Sequence, residues 1–117
     1  MFDTALEEGE IIISVRFPVP TSSSYQKFVQ PASRFAMVGV FLSKFADETK
    51  VAVTGASEGG VFRWSEAEAR LNENFSADSI NNLSVDQNDM ISDIHASKEY
   101  RAHLVKIMTQ RAIKGAS

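Results

Sequence analysis

Three residues near the start of the sequence, Tyr25, Lys27 and Arg34, have side chains suited to binding a ligand. Tyr25 and Lys27 are two positions apart, so on a β-strand they point to the same face of the sheet. An aromatic ring with a cation nearby can meet a flat, electron-rich ring by stacking and by charge. The alternative is a tyrosine on an edge strand beside a solvated lysine, and the spacing by itself favours that alternative.

The histidines and carboxylates do not form a recognisable metal or acid–base motif. His95 and His103 are eight residues apart, which is not the i,i+4 spacing of two ligands on one helix. We expect His95 to lie in a loop before the last helix and to hydrogen-bond to the backbone there. Asp89 and Asp93 would share a helix face only if that stretch were helical, and Asp93 more simply caps the loop before His95.

The glycines and serines also lack a catalytic arrangement. Gly55, Gly59 and Gly60 lie between two short apolar segments, whereas a phosphate-binding loop leads from a strand into the N-terminus of a helix. These glycines therefore indicate a hairpin turn. Gly55-Ala56-Ser57-Glu58-Gly59 has the Gly-x-Ser-x-Gly pattern, but it leads into an apolar segment and not into the helix that a nucleophile elbow requires. Composition and spacing alone do not predict catalysis.

Length and composition indicate a single soluble domain. The 117 residues suffice for one compact core, and a net charge of −3 gives no basic field for nucleic acid. We expect the cations near the C-terminus, Lys106, Arg111 and Lys114, to be a solvated helix end. The absence of cysteine excludes disulfides and thiolate metal sites and is compatible with the cytoplasm, where we place the protein. Neither a signal peptide nor an apolar run long enough to cross a membrane is present.

The first half of the sequence predicts an antiparallel meander. Residues 10–17 alternate apolar and polar positions, which predicts a strand covered on one face and ended by Pro18 and Pro20. Further strands are predicted over 25–30, 37–45, 51–54 and 61–64. The stretch 37–45 is apolar on both alternating faces, as is typical of a central strand.

The second half changes to a helical period. Ser65 and Glu68 form a capping-box signature at the start of a helix. Ser76 is placed to cap a further short helix that presents Ile80 and Leu83. Residues 81–93 are irregular, with room for one helical turn. The last helix begins at about Ser97, and Gly115 is placed to terminate it.

Strands followed by helices predict an α+β domain, in which three to five antiparallel strands are covered on one face by about three helices. Residues 1–9 are acidic and resemble a linker remnant. We therefore expect the domain to occupy residues 10–117.

Four groups of short motifs, in order along the sequence, resemble the C-terminal domain of the FAD-carrying medium subunit of molybdenum hydroxylases of the carbon monoxide dehydrogenase/xanthine dehydrogenase type. The similarity spans about Glu8 to Ala112 and is greatest to the carbon monoxide dehydrogenase group. The motifs are Glu8-Gly9-Glu10-Ile11-Ile12 with Val15-Arg16-Phe17-Pro18, Tyr25-Gln26-Lys27-Phe28 with Ala32-Ser33-Arg34-Phe35-Ala36, Val51-Ala52-Val53-Thr54-Gly55-Ala56 with Gly60-Val61-Phe62-Arg63, and His95-Ala96-Ser97 with Glu99-Tyr100-Arg101-Ala102-His103-Leu104 and Arg111-Ala112.

The resemblance implies an antiparallel sheet followed by helices, and a place in an electron-transfer complex. In this family a large subunit carries the molybdenum cofactor, a small subunit carries the [2Fe–2S] centres, and FAD in the medium subunit passes electrons to an acceptor. Most FAD contacts belong to a domain N-terminal to the one resembled here. The implied partners are therefore that FAD-binding domain, the molybdenum subunit and the iron–sulfur subunit, and the domain is not expected to be catalytic alone.

Carried over by motif, Tyr25 flanks the isoalloxazine ring and Lys27 offers a cation to the flavin or to its acceptor. Many relatives in this family carry an acidic residue before the Phe-Ala pair of the connector, where this sequence has Ser33-Arg34, so a shared role for Arg34 does not follow. Two other functions stay open. One is a stand-alone protein-interaction module without a cofactor, and the other is a regulatory domain with a closed apolar pocket between sheet and helices.

Overall fold

The computed structural model describes residues 4–117, which form one antiparallel sheet followed by helices. The strands are β1 (Ser22–Val29), β2 (Ala36–Lys44), β3 (Thr49–Thr54) and β4 (Phe62–Arg63). The α-helices are α1 (Ser65–Glu73) and α2 (Lys98–Ala116), and two short 3-10 helices, Ala77–Ile80 and Gln87–Asp89, lie between them. The predicted α+β class is confirmed, with two α-helices and two single turns where about three helices were expected.

The four strands follow one another across the sheet in chain order, and every neighbouring pair is antiparallel. β1 is therefore an edge strand, and β2 is central, as its apolar run predicted. The glycine-containing turn after Thr54 joins β3 to β4, and Gly55 and Gly60 adopt positive φ angles of 81° and 93° there. The predicted hairpin is confirmed.

Both α-helices cover the same face of the sheet, which we call the inner face. The inner side chains of the central strands are fully buried: Val38, Val40 and Leu42 from β2, and Val51 and Val53 from β3. Helix α2 places Leu104, Val105, Met108 and Ala112 against them, and α1 places Ala67 and Leu71 there. Ile80 and Leu83, which the predicted short helix was expected to present, are both buried in this core.

The helix starts agree with the sequence in two cases and differ in one. Ser97 accepts a hydrogen bond from the Tyr100 N–H at 3.1 Å and caps α2, and Ser76 accepts one from the Asp78 N–H. The predicted capping box at α1 is wrong, because Trp64 occupies the N-cap position and makes no side-chain cap. The Glu68 carboxylate bonds instead to β3 and β4, where strand groups need a partner.

Gly115 does not terminate α2, which continues to Ala116. The glycine lies where the helix crosses β1, and a Cβ atom there would stand 2.5 Å from the Ser24 hydroxyl oxygen. Next to it, the Ser22 hydroxyl donates to the Ala116 carbonyl at 2.8 Å. The missing side chain thus permits close packing of the helix on the strand.

The strand predicted over residues 10–17 is wrong for this structure, since no strand or helix precedes Ser22 in the described chain. Its side chains are exposed, and no backbone hydrogen bond joins residues 11–20 to the rest of residues 4–117. Apolar and polar residues do alternate over 10–17. The described chain, however, contains neither a strand that pairs with these residues nor an apolar layer that covers them. Of the predicted linker 1–9, residues 1–3 lie outside the described part, and residues 4–9 form no helix or strand.

Within residues 4–117, neither helix is long and apolar enough to cross a membrane.

Candidate functional site on the open face of the sheet

The second face of the sheet, which we call the outer face, is not covered by any helix of the described chain. Strand register places Tyr25 opposite Phe41, Phe41 opposite Ala52, and Ala52 opposite Arg63. One residue from each of the four strands therefore forms a continuous row across this face.

Tyr25 and Phe41 make an aromatic pair on the outer face, between the edge strand β1 and β2. Their ring centroids are 6.5 Å apart, and the rings are inclined by 38°. Tyr25 is 48% exposed and Phe41 is 45% exposed, so each ring keeps about half of its surface free. A directly opposed aromatic pair stabilises an antiparallel ladder by about 0.2–1 kcal/mol.

Gly39 lets the tyrosine lie close to the sheet. A Cβ atom at Gly39 would be 2.7 Å from the Tyr25 hydroxyl oxygen and 2.9 Å from a methyl carbon of Thr54. The tyrosine hydroxyl end therefore occupies the space that any larger residue would need. The result is an aromatic surface close to the backbone of the central strand.

Lys27 extends from the same face beside this aromatic surface, as its two-residue spacing from Tyr25 predicted. It lies opposite Gly39 in the strand register. Its side chain is exposed and forms no salt bridge within residues 4–117. The structure thus brings the two predicted site residues, Tyr25 and Lys27, together on one open surface.

Arg34 lies apart from this pair, in the turn that connects β1 to β2. Its backbone has a positive φ of 63°, and its N–H donates to the Gln30 carbonyl at 2.9 Å. A non-glycine residue in the left-handed region is uncommon. The hydrogen bond closes the turn, and the guanidinium has no salt-bridge partner among the described residues.

An ion pair between Arg63 and Glu68 lies at the β4 edge of the outer face. The Glu68 carboxylate accepts hydrogen bonds from Arg63 Nε at 2.6 Å, from Arg63 Nη2 at 2.7 Å and from the Val51 N–H at 2.9 Å. Burial alone would raise the pKa of Glu68, but the hydrogen bonds from Arg63 and Val51 outweigh it and lower that pKa. The hydrogen bond to Glu68 in turn raises the pKa of Arg63.

A second ion pair fixes the start of α2 to the sheet. The Arg101 side chain is only 4% exposed; its Nη1 donates to the carbonyls of Met37 at 2.8 Å and Gly55 at 3.2 Å. Its Nη2 donates to both carboxylate oxygens of Asp93 at 3.0 Å. Arg101 therefore connects β2, the β3–β4 turn and the segment before α2.

Asp93 has the capping role that the sequence predicted. Its carboxylate accepts hydrogen bonds from the N–H groups of His95 at 2.9 Å and Ala96 at 3.1 Å. The bond from the His95 N–H, with the Arg101 guanidinium and the Ala96 N–H, lowers the pKa of Asp93 against the opposing effect of burial. Asp93 is thus a structural anchor and is not part of an acid–base pair with Asp89.

The described residues hold no candidate metal site, because no three His, Asp or Glu side chains lie close enough together to bind an ion. His95 lies in the loop before α2, as predicted, but among the described residues its side chain makes none of the expected hydrogen bonds to the backbone; instead its backbone N–H donates to the Asp93 carboxylate. His103 is exposed on α2.

A surface cavity of about 670 Å³ lies between the β3–β4 turn, the start of α1 and the second 3-10 helix. Four carboxylates line it, from Glu58, Glu66, Asp86 and Asp89. It is outside the space between sheet and helices, where buried side chains form the core. The closed apolar pocket expected for a regulatory domain is not found at that place in the described chain.

Sequence reasoning missed Phe41 and the roles of Glu68 and Arg101. Phe41 lies in a run that is apolar on both faces, so its exposure could not be read from period alone; only the absence of an outer helix layer leaves it open. Arg101 and Glu68 are charged residues at helical positions that also carry buried alanine and leucine neighbours. A charged residue on a helix face that is otherwise apolar was the signal in the sequence that could have identified both roles.

No protein-family model matches the chain, and neither the curated proteins nor the solved structures contain a significant match.

Proposed function

We propose that this chain is the C-terminal domain of the FAD subunit of a molybdenum hydroxylase. In that role it shields the flavin and supports electron transfer from molybdenum, through [2Fe–2S] centres, to FAD and then to an acceptor. The chain is not catalytic by itself. The observation that carries the proposal is the outer face, where half-exposed Tyr25 and Phe41 lie beside Lys27 with no covering helix in the described chain.

The outer face is suited to contact the isoalloxazine ring of FAD, whereas the contacts to the FAD diphosphate are left to a different domain. An isoalloxazine ring is planar, and aromatic side chains with free surface pack against such rings. Because Gly39 has no side chain, the Tyr25 ring lies close to the backbone of β2. This adds to the fit, since it keeps the aromatic surface close to the sheet. The described residues contain no glycine-rich turn into a helix N-terminus that would hold the diphosphate. The diphosphate contacts are therefore assigned to the N-terminal domain of the same subunit.

Tyr25 and Lys27 have different tasks in this proposal. Tyr25 packs beside the ring and excludes water from it. Lys27 places a positive charge near the flavin edge or its acceptor, and it is free to do so because no carboxylate of the described chain pairs with it. FAD supplies the electron chemistry when bound, while this chain supplies packing and charge.

The order of the sequence motifs gives the proposal its partners. These are the N-terminal FAD-binding domain, the molybdenum-binding large subunit and the iron–sulfur small subunit, in a cytoplasmic complex. The absence of a membrane-crossing helix in the described residues is compatible with that setting. The large subunit would determine which substrate is oxidised.

Flavin kinetics in the complete subunit test the proposal. Lys27→Met should change the rate of flavin reduction or reoxidation in stopped-flow measurements at least about threefold, as expected for the loss of one partly solvated charge. Lys114→Met removes an exposed charge from α2, on the other side of the sheet, and is the matched control. Equal rates in the Lys27 variant and the wild type would contradict the role of Lys27.

The isolated chain provides a second test, because it lacks a diphosphate site in its described part. It should bind FAD weakly in a fluorescence titration. A Kd in the micromolar range would contradict the division of contacts between two domains.

A stand-alone protein-interaction module is the second candidate, and the exposed apolar residues before β1 favour it. The coding sequence directly upstream separates the two. The flavoprotein proposal expects a glycine-rich FAD domain in the same reading frame, and the interaction module expects none.

A further inference from the structure

The surface cavity of about 670 Å³ between the β3–β4 turn, the start of α1 and the second 3-10 helix has no role in the proposed function. We call it the acidic cavity, because four exposed carboxylates line it: Glu58, Glu66, Asp86 and Asp89. None of the four forms a salt bridge within residues 4–117. Arg63 also lies on the wall, but its guanidinium is bound to Glu68. The negative charge of the acidic cavity is therefore not balanced by a partner in the described chain.

Backbone hydrogen bonds hold the walls of the acidic cavity in place. Ser57 in the β3–β4 turn and Met90 pair as an antiparallel bridge. The Glu58 N–H donates to the Asp89 carbonyl at 3.1 Å, and the Trp64 N–H is bonded to β3. The folded chain itself therefore forms this cavity and keeps its carboxylates near one another.

Trp64 adds a hydrogen-bond donor to the acidic cavity. The residue lines the cavity and is only 5% exposed, and its indole N–H has no acceptor among the described residues. Arg101 Nε is the one fully enclosed side-chain nitrogen or oxygen without a partner in the described chain. The indole nitrogen therefore keeps some free surface, and the acidic cavity is the space that Trp64 lines. Since a buried tryptophan N–H usually has a partner, we expect an acceptor that comes from outside the chain.

The start of α1 presents further donors at the same place. Trp64 is the N-cap residue, and its side chain does not cap the helix. Ser65 and Glu66, the first two residues of α1, line the acidic cavity. The first N–H groups of a helix have no partner within the helix. The acidic cavity thus combines N–H donors with carboxylates.

This combination selects the chemistry of a ligand. The carboxylates attract a cation, and the donors require an oxygen acceptor. An anionic acceptor does not fit, because four carboxylates repel it. The amino terminus of a peptide carries an ammonium group next to a neutral carbonyl oxygen, and so supplies both groups. Phe62 and Val85, which are half-buried on the wall, offer apolar surface to the first side chain of such a peptide.

We propose that the acidic cavity binds the amino terminus of a peptide. The ammonium group lies among the four carboxylates, and the first carbonyl oxygen accepts a hydrogen bond from the Trp64 indole N–H. Capture of an amino-terminal amine is one of the recurring modes of peptide recognition. The inference does not depend on the flavoprotein assignment, because it uses neither Tyr25 nor Lys27.

Fluorescence of the 117-residue chain tests the proposal, since Trp64 is its single tryptophan. Leucinamide carries the ammonium group, the neutral carbonyl and an apolar side chain, and it should change the emission saturably with a Kd of about 1 mM or tighter. N-acetylleucinamide lacks the charge and free leucine adds a carboxylate, so each should bind at least about tenfold more weakly. Isopentylamine lacks the carbonyl and should bind at least about threefold more weakly.

Variants of the chain assign the binding to the acidic cavity. The double variant Glu58→Gln/Asp89→Asn removes two exposed charges and should weaken leucinamide binding at least about fivefold. Glu73→Gln removes an exposed charge from the end of α1, outside the cavity, and is the matched control. It should change the Kd less than about twofold.

Each unexpected result would overturn the proposal in a different way. No saturable change with leucinamide up to about 20 mM would show that the amino terminus is not bound. Equal binding of N-acetylleucinamide would show apolar contact without recognition of the ammonium group. Tighter binding of free leucine would show an anion site at the start of α1, and equal binding of isopentylamine would show a cation site that makes no use of the Trp64 N–H. Unchanged affinity in the double variant would place the binding elsewhere on the chain.

Discussion

Glu68 holds the guanidinium of Arg63 through two hydrogen bonds, of 2.6 Å and 2.7 Å, and so joins the first helix to the last strand. The same carboxylate accepts the Val51 N–H at 2.9 Å. Trp64, which directly follows β4, donates its N–H to the Val51 carbonyl at 3.0 Å. A helix side chain therefore continues the hydrogen bonding of β3 beyond the point where the two-residue strand β4 ends.

Glu68→Gln should lower the free energy of unfolding by about 1 kcal/mol, because the amide can still accept from Val51 but loses the charged contact with Arg63. Urea unfolding followed by circular dichroism measures the change. Glu66→Gln, an exposed acidic residue in the first turn of the same helix, is the control and should cost less than about 0.5 kcal/mol. Equal losses in the two variants would show that Glu68 contributes only to the helix dipole.

The same pair predicts a pH dependence of stability. The pKa of Glu68 is lower in the folded protein than its ordinary value of 4.5, so at mildly acidic pH the unfolded chain binds more protons there. The stabilisation is fully present above pH 4.5 and is lost as the pH falls through the folded pKa. The stability difference between wild type and Glu68→Gln should therefore shrink on acidification. A difference that is constant from neutral pH to pH 3 would contradict the lowered pKa.

Arg101→Leu should destabilise the protein by about 2–4 kcal/mol, because it leaves the carbonyls of Met37 and Gly55 without their donor. Arg111→Leu removes an exposed arginine from the same helix and should cost less than about 0.5 kcal/mol. Asp93→Asn should also lower the melting temperature, since Arg101 would lose its charged partner. Thermal unfolding of the three variants gives the comparison, and an Arg101 variant as stable as the Arg111 variant would disprove the anchoring role.

Gly39→Ala should displace the Tyr25 ring from its place over the sheet, because the new Cβ would lie 2.7 Å from the tyrosine hydroxyl oxygen. The neighbouring atoms are ends of side chains that can turn away, so the stability should change by less than about 1 kcal/mol. The nuclear Overhauser contacts between Tyr25 and Phe41 should weaken in NMR spectra. Gly59→Ala, in an open part of the β3–β4 turn, should leave those contacts intact.

Much of the sheet could be predicted from local chemistry. The strands predicted over 25–30 and 37–45, and the hairpin predicted from the glycines after Thr54, are present in the structure, with ends that differ by a few residues. Ser76 and Ser97 marked helix starts correctly because a serine cap acts on N–H groups within three residues of it. Such signals involve near neighbours in the chain.

The errors arose where a local pattern had more than one possible partner. Glu68 stands three residues after Ser65, as a capping box requires, but Arg63 and Val51 offer its carboxylate a stronger set of donors. Gly115 is suited to end a helix, yet the approach of Ser24 makes close packing its role. Residues 10–17 alternate as a strand does, but a strand also needs a neighbour, and none lies within the described residues.

By itself the sequence determined the order of strands and helices and the common face of Tyr25 and Lys27, because side-chain direction follows from a period of two along a strand. The sequence also predicted helices on one face, but the tertiary structure alone decided which face of the sheet they cover. That choice leaves Phe41 beside Tyr25 on an open surface and buries the Arg101 guanidinium among backbone carbonyls. The physical reason is that exposure depends on which layers pack together, and layer packing is set by contacts between residues far apart in the chain.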